Sequence, residues 1–440
     1  MSDTRPQEIL PPDRFSPRQL LVLCICFLAA MIDGFDIMIV PFTAPAIIED
    51  WAVSSQKIGL LFSAGLLGMA LGSMLLGSLA DIYGRRPVIT VAMLAAGMAT
   101  AATVVAADIV QVIALRAVAG IGLGILIATL PTMVGEFSPC RYRTLTISIL
   151  LTGVSVGGVV GGLIVAEVIA DVGWRGIYLY AGLLTSACGI GFYLLVPESM
   201  AFIAKRRPTV ALAAINRILC SLRHPQLSEL PSNSAPTTES ATVVSLLAPT
   251  RRKTTLIAWS TFLLAFALLY FVTSWMPNIL VRGGLSQEAA IRGTVFITLG
   301  GIAGTLLIGW LSRWWALNGW IATFFGMGTV LLVAFSVLEG NLAAVSPVLL
   351  LLILFALGVT INGGNANLYG LAVIIYPVQV RSTGLGWCAG LGRLGAVLST
   401  TLAGVLLGIG VTTSQLFYGF AGAAILAAFG AWAVGSRALD

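Results

Sequence analysis

Long apolar runs separated by short polar segments dominate the pattern of the chain. Seven of these runs contain no aspartate, glutamate, lysine or arginine: residues 58–80, 87–107, 144–166, 176–197, 254–281, 293–312 and 314–338. A helix needs about 20 mostly apolar residues to cross the hydrocarbon core of a bilayer. Each run therefore predicts one membrane-spanning helix, whereas the strands of a membrane β-barrel would be short and alternating.

Five more spans complete the pattern. Residues 19–48 and 109–135 are apolar runs with charges inside them. Residues 341–380 fit one long span, and residues 382–436 are too long for one crossing and fall into two at a turn-like stretch. The sequence thus predicts an all-α membrane protein of twelve transmembrane helices.

Composition and charge support a membrane protein and exclude several other classes. The 440 residues are 58% hydrophobic and only 10% charged, against about 25% charged in soluble domains. Most of the 24 lysine and arginine residues fall on the side of the N-terminus, so the positive-inside rule predicts cytoplasmic N- and C-termini. The net charge of +6 then reflects topology, and no nucleic-acid partner is expected. The first span predicts an uncleaved anchor rather than a signal peptide.

The residues needed for enzymatic chemistry are missing from the sequence. His224 is the sole histidine, the six cysteines lack metal-ligand spacing, and no phosphate-binding glycine loop follows a soluble strand. We therefore expect no enzyme activity, no metal and no cofactor other than protons as coupling ions.

A polar segment rich in serine, threonine, proline and basic residues, 199–253, divides the chain into an N-terminal six-helix half, 1–198, and a C-terminal half, 254–440. Pro139-x-x-x-Arg143 in the first half echoes Pro377-x-x-x-Arg381 in the second. Internal repeats of this kind build transporters whose site lies between the halves. Such a bundle encloses its own path, so we expect a functional monomer.

The loop after the second helix reads Gly77-Ser-Leu-Ala-Asp81-Ile-Tyr-Gly84-Arg85-Arg86. It closely resembles the cytoplasmic signature of the major facilitator superfamily. Asp81, Arg85 and Arg86 can form ion pairs near helix ends that latch the cytoplasmic side, with Glu136 as a partner of Arg85. The alternative is simple anchoring by positive charge.

The first helix carries two acids in Asp33-Gly-Phe-Asp36. Residues at i and i+3 share a helical face, so both carboxylates should project together into a wet cavity. Intramembrane acids are candidate proton carriers, and we predict proton coupling at Asp33 and Asp36. The alternative is a structural ion pair with Arg116, which lies at a similar depth in the fourth helix.

The Asp-Gly-Phe-Asp element, Tyr376-Pro377-x-x-x-Arg381-Ser-Thr-Gly-x-Gly-Trp and Gly392-Arg393-Leu-Gly resemble the aromatic acid/proton symporter family within that superfamily. The resemblance implies uptake of aromatic carboxylates such as hydroxybenzoates, protocatechuate or hydroxyphenylpropionate by proton symport across a bacterial inner membrane. Its functional positions would be Asp33, Asp36, Arg116, Arg381 and Arg393. Asn365 departs from the glutamine of many relatives.

The residues also predict a substrate site on their own. Arg393 lies near the midplane, where a lone cation suits a carboxylate; the alternative is pairing to another helix. Asn362, Asn365 and Tyr369 form a stripe on the tenth helix that can bond a ring hydroxyl or simply join helices. Arg381 lies at the membrane edge, so we predict that it acts as a gate or as an anchor.

Two other functions remain open from the sequence. One is proton-driven efflux of drugs or metabolites on the same fold. Drug-efflux antiporters place a proline where this chain has Gly158, which weighs against that reading. The other is a sensor or scaffold without transport, which nothing favours beyond the long basic central segment.

Overall fold

The computed structural model describes residues 15–77, 79–206, 208–222, 226–227, 243–249, 251–338, 342, 344–377 and 380–437. His224 and much of the predicted central segment 199–253 lie outside the described residues. Every regular secondary-structure element within the described residues is a helix, as the sequence predicted.

Sixteen α-helices are found in this part of the chain. The N-terminal ones are α1 (Pro17–Trp51), α2 (Ser55–Leu71), α3 (Leu79–Tyr83), α4 (Arg85–Ala102), α5 (Ile109–Phe137), α6 (Arg143–Leu195), α7 (Met200–Arg206) and α8 (Pro208–Ser221). The remaining ones are α9 (Val243–Leu246), α10 (Arg252–Arg282), α11 (Gln287–Leu311), α12 (Leu317–Leu338), α13 (Pro347–Leu357), α14 (Gly363–Ile375), α15 (Arg381–Gly408) and α16 (Thr413–Arg437).

Among the described residues, eleven helices are long and apolar enough to cross a membrane. The sequence predicted twelve spans, and the difference lies in α6. This helix has 53 residues and joins two of the predicted runs across Gly173, whose backbone is not helical (φ 65°, ψ 174°). At 1.5 Å per residue its length is about 80 Å, more than twice the roughly 30 Å of a bilayer core.

Two helices pass through a short π-helical segment. The α2 helix continues as Gly72–Leu76, and α13 continues through Gly358–Asn362 into α14. Such widened turns are rare and are frequently found at functional sites. The first one presses against α5, since a Cβ at Gly72 would lie 2.1 Å from the carbonyl oxygen of Ile121. Glycine is therefore required there, and the next residue, Ser73, stands at a fixed position.

The α1 helix is fixed at its start and along its length. The Ser16 hydroxyl accepts from the backbone N–H of Gln19 (3.2 Å), and the Gln19 side chain accepts from the backbone N–H of Ser16 (2.8 Å), a reciprocal cap. At mid-helix the backbones of α1 and α6 touch, because a Cβ at Gly34 would lie 1.8 Å from the carbonyl oxygen of Val154. This contact sets the rotation of α1, and with it the directions of Asp33 and Asp36.

One end of the bundle is closed by contacts between N-terminal and C-terminal helices. The hydroxyl of Ser63 on α2 bonds Thr400 (2.8 Å) and Thr401 (2.5 Å) on α15. Gly59 lets the same helices approach, since its Cβ would lie 2.8 Å from the carbonyl oxygen of Thr400. Arg292 on α11 pairs with Glu167 on α6 at 2.6 Å. These contacts lie at the end where α1 finishes and α2 begins.

Candidate functional site

A cavity of about 300 Å³ lies between N-terminal helices (α1, α2, α5 and α6) and C-terminal helices (α10, α14 and α15). Its polar lining consists of Asp33 on α1, Ser155 on α6, Tyr270 on α10, Tyr369 on α14 and Arg393 on α15. Leucine, isoleucine, methionine, valine, alanine, proline and phenylalanine side chains supply the rest. An apolar cavity with a few convergent polar groups is the usual form of a small-molecule site.

The cavity extends away from the closed end of the bundle. Leu130 and Pro131 near the end of α5 line it, as do Leu150 and Leu151 near the start of α6. The larger cavity therefore extends towards the end of the bundle that carries Arg85 and Glu136.

Asp33 is the acid of this cavity. Its side chain is 2% exposed, and its Oδ1 atom has no hydrogen-bond partner among the described residues. Arg393 and Asp36 are the charged groups that act on it. A buried carboxylate oxygen without a partner is costly, so a proton or a ligand donor at this oxygen would stabilise the side chain.

Asp36 faces a different space from Asp33. It lines a smaller, neighbouring cavity of about 40 Å³ together with Arg116. Three residues along a helix turn a side chain by about 60° and shift it by about 4.5 Å. That separation is enough, beside the Gly34 contact, to place the two carboxylates in adjacent cavities rather than together in one.

Arg116 forms the buried ion pair that the sequence offered as an alternative. Its Nη1 lies 3.0 Å from Asp36 Oδ2, and both side chains are at most 5% exposed. The hydroxyl of Thr100 on α4 donates to Asp36 Oδ1 at 3.0 Å and accepts from Arg116 Nη2. The guanidinium also lies over the Tyr178 ring, 5.2 Å from its centre. Arg116 is thus held by protein groups and does not line the larger cavity.

Arg393 projects from α15 towards α2. Its Nη1 donates to the Ser73 hydroxyl (2.5 Å) and to the carbonyl oxygen of Met69 (3.3 Å). Among the described residues no carboxylate lies within ion-pair distance of this guanidinium. An arginine with two neutral partners can still take a carboxylate as a bidentate ligand.

Aromatic rings form one wall of the cavity. Phe262, Phe266 and Tyr270 follow one another at successive turns of α10, and Phe266 and Tyr270 line the cavity. The Phe266 ring centre lies 6.4 Å from that of Tyr270 and 6.2 Å from that of Tyr369. Sequence reasoning missed Phe266 and Tyr270, although the spacing of four residues in the run 254–281 was a usable signal.

The predicted stripe on the tenth span is divided by the structure. Tyr369 lines the cavity and is 39% exposed. Asn365 is 3% exposed, and Asn362 stands in the π-helical segment beside Gly301 of α11. Neither asparagine lines the cavity, and each has one buried side-chain atom without a hydrogen-bond partner among the described residues.

The predicted latch residues meet at the end of the bundle opposite to the Ser63–Thr400 contact. Arg85 forms an ion pair with Glu136, as the sequence predicted, and its Nη2 lies 3.8 Å from Asp81. Arg86 donates to the carbonyl oxygen of Tyr193 at 2.7 Å. Arg381, at the first turn of α15, donates to the carbonyl oxygen of Tyr376 at 3.2 Å.

Two further residues of this latch escaped sequence reasoning. Ser199 joins the ion pair, since its hydroxyl donates to Glu136 (2.5 Å) and accepts from Arg85 (3.0 Å). Glu198 accepts from the backbone N–H groups of Arg85 (2.9 Å) and Arg86 (3.1 Å), so it caps the N-terminus of α4. The sequence signal for both residues was a glutamate followed by a serine directly after the sixth predicted span, residues 176–197.

Comparison with known proteins agrees with this geometry. The model of the Major Facilitator Superfamily matches residues 26–400. The chain belongs to the Major Facilitator Superfamily. It is therefore a multi-pass membrane transporter and not an enzyme, and a bacterial inner membrane is the location that fits its relatives.

Among these relatives is the gallate transporter of Pseudomonas putida, 31% identical over 399 residues, which cover 91% of this chain and 88% of that protein. The 4-hydroxybenzoate transporter PcaK of Pseudomonas aeruginosa is 29% identical, with 93% and 91% covered. The xylose transporter XylE from E. coli, solved in a partially occluded inward open conformation, has a TM-score of 0.70 at 14% identity, with 95% and 98% covered. The curated relatives are thus transporters of aromatic acids, and the solved structure shares the fold.

Proposed function

We propose that the chain imports an aromatic carboxylate, such as a hydroxybenzoate, protocatechuate or a related acid, together with protons. The observation that carries this proposal is that Asp33 and Arg393 line one central cavity with an aromatic wall. The cavity thus contains a cation that can bind the substrate carboxylate, aromatic side chains that can pack against the substrate ring, and an acid that can carry the proton. The names of the curated relatives support the same class of substrate.

Size and chemistry both favour a small aromatic acid. The cavity of about 300 Å³ is at the lower end of the range for ligand sites, roughly 300–1,000 Å³. Offset or edge-on packing against Phe266 and Tyr270 stabilises an aromatic ring beyond simple burial. Arg393 would exchange its neutral partners, Ser73 and Met69, for the carboxylate of the substrate.

Asp33 is the better of the two predicted proton carriers. Asp33 lines the substrate cavity and its Oδ1 has no hydrogen-bond partner among the described residues, whereas both oxygens of Asp36 accept hydrogen bonds, from Thr100 and Arg116. Protonation of Asp33 would remove the negative charge that repels an arriving carboxylate. Proton and substrate would then bind together, as symport requires.

The membrane arrangement follows from α6 and from the basic residues. We place two crossings in α6, one on either side of Gly173, which makes twelve spans in two halves of six. Cytoplasmic termini then put Arg85 and Glu136 inside and the Ser63–Thr400 contact outside. In this arrangement the larger cavity would communicate with the cytoplasm while the Ser63–Thr400 contact holds the outer end together, and rocking of the halves would exchange this state with the opposite one.

Uptake into proteoliposomes tests the proposal. Purified protein should accumulate labelled 4-hydroxybenzoate, protocatechuate or gallate under an imposed inward proton gradient, and a protonophore should abolish the accumulation. Arg393→Gln should lose it, whereas Arg313→Gln, an exposed arginine between α11 and α12, should retain it. Absence of accumulation of all three acids by folded protein would contradict the proposal, and extrusion driven by the opposite gradient would indicate efflux instead.

A further inference from the structure

Two cavities meet beside α1. The smaller one, of about 40 Å³, holds Asp36 and Arg116, and the larger one holds Asp33 and Arg393. Four side chains line both cavities: Ile37, Leu66, Met69 and Tyr270. The two acids of α1 therefore stand on either side of a shared wall, and Tyr270 is the member of that wall with an ionisable hydroxyl.

The smaller cavity has polar groups that the protein does not satisfy. Arg116 is 2% exposed, and its Nε has no hydrogen-bond partner among the described residues. Ser274, 5% exposed, also lines the cavity, and its hydroxyl makes no hydrogen bond within the described part of the chain. Water needs two to four polar partners and about 10–15 Å³. The cavity meets both conditions and is too small for an aromatic acid.

We infer that the smaller cavity holds ordered water and forms the outer part of the proton route to Asp33. This inference rests on the proposed proton symport. When the outer side is open, a proton from that side reaches a water bonded to Asp36 as this water passes a proton to the Tyr270 hydroxyl oxygen and that hydroxyl gives its own proton to Asp33. The water and the hydroxyl each receive one proton and give one away, so no hydroxide is left beside the Asp36 carboxylate. Asp33 gains one proton, and Tyr270 and the water end unchanged.

The surroundings of both acids fit this route. Thr100 on α4 and Arg116 on α5 occupy one side of the Asp36 carboxylate, and Tyr178 on α6 lies behind Arg116. Tyr270 on α10 completes the lining of the smaller cavity. Tyr270 lines the larger cavity as well, where the charges of Asp33 and Arg393 act on its hydroxyl, so its side chain connects the two cavities.

Gly65 allows the smaller cavity to be filled without disturbing the substrate site. It lines the smaller cavity and not the larger one. The nearest atom to a Cβ at this position would be the carbonyl oxygen of Arg116, at 3.9 Å, which is an ordinary contact. Gly65→Val should therefore displace water. Gly191→Val on α6, where a Cβ meets nothing within 4 Å, is the matched control.

Two transport assays distinguish a defect in the proton route from a defect in substrate binding: uptake driven by a proton gradient, and exchange of substrate at equal pH. Proteoliposomes with wild-type protein, Gly65→Val or Gly191→Val would be assayed with saturating 4-hydroxybenzoate. Gly65→Val should lower uptake driven by a proton gradient at least tenfold, while exchange of labelled for unlabelled substrate at equal pH stays within about twofold of wild type. Gly191→Val should match wild type in both assays. Full gradient-driven uptake by Gly65→Val would overturn the inference.

Tyr270→Phe keeps the test decisive if Gly65→Val does not fold. This variant removes the hydroxyl and preserves the ring, and at saturating substrate it should show the same split between uptake and exchange. Joint loss of uptake and exchange in a variant that still binds substrate would also overturn the inference, because the cavity would then serve the conformational change. A wild-type protein that exchanges the acid but never accumulates it under a gradient would instead count against the proposed symport.

Discussion

Arg393 on α15 lines the larger cavity and donates a hydrogen bond to Ser73 in the π-helical continuation of α2, at 2.5 Å from Nη1 to the hydroxyl oxygen. The bond joins an N-terminal and a C-terminal helix at the edge of the cavity, and Ser73 stands in the first π-helical segment. The cation proposed to bind the substrate is therefore engaged by a neutral group of the protein. A carboxylate that binds Arg393 must compete with this bond.

Ser73→Ala should tighten substrate binding. A hydrogen bond to a charged group is worth about 1.5–3 kcal/mol, so removal of this competitor should lower the Kd for 4-hydroxybenzoate by about tenfold. Isothermal titration of the purified protein measures the change. Ser148→Ala is the control, since the Ser148 hydroxyl bonds the carbonyl oxygen of Thr144 in its own helix. Weaker binding by Ser73→Ala would show that Ser73 positions Arg393 for the ligand instead.

Asp33→Asn should uncouple transport from protons. The amide cannot carry the proton, but it preserves the shape of the side chain and removes the charge that opposes a carboxylate in the cavity. Exchange should persist while uphill accumulation is lost and the pH dependence of uptake flattens. Initial rates between pH 5.5 and 8 in proteoliposomes check this. Gradient-driven accumulation equal to that of wild type would show that Asp33 is not the coupling group.

Asp36→Asn should damage stability more than Asp33→Asn does. Loss of Asp36 leaves the Arg116 guanidinium buried without its counter-ion, and breaking a buried ion pair costs about 3–5 kcal/mol. The Tm in detergent should fall clearly for Asp36→Asn, and Asp36→Asn/Arg116→Gln should recover part of the loss. A double variant no more stable than the single one would show that the ion pair is not the source of the effect.

Tyr369→Phe should reduce the selectivity of the protein for 4-hydroxybenzoate over benzoate. The Tyr369 side chain lines the cavity and its hydroxyl makes no hydrogen bond within the described residues, so a ring hydroxyl of the substrate is a suitable partner. Loss of one neutral hydrogen bond, about 0.5–1.5 kcal/mol, should raise the KM for 4-hydroxybenzoate several-fold and leave that for benzoate nearly unchanged. Equal changes for both acids would indicate that Tyr369 only packs against the ring.

The sequence was informative wherever a charge interrupted an apolar run. Asp33, Asp36, Arg116 and Arg393 stood out because an ionisable group in a membrane is costly, and the structure places all four around two adjacent cavities. The sequence could not say which acid pairs with Arg116. That depends on the rotation of α1, which the Gly34 contact with α6 determines.

Other parts of the site gave weaker signals or none. Tyr270 and Phe266 are uncharged and match the apolar pattern of their span, so their position at the cavity follows from helix packing alone. Ser73 stands out only because the π-helical segment displaces the normal helical register, and no local residue pattern predicts that. The described residues form eleven candidate spans against the twelve predicted, because the single helix α6 runs on both sides of the non-helical residue Gly173.

Gly59→Leu should prevent closure of the outer end. A Cβ at Gly59 would lie 2.8 Å from the carbonyl oxygen of Thr400. This oxygen belongs to the backbone, so the clash can be relieved only by a shift of a helix. The larger side chain should hold α2 and α15 apart, stop net uptake and favour the state open to the outside. Hydrogen–deuterium exchange in the first half of α2 should rise relative to wild type. Gly326→Leu, where a Cβ meets nothing within 4 Å, should alter neither property, and an unchanged exchange pattern in Gly59→Leu would show that this contact does not hold the closed end.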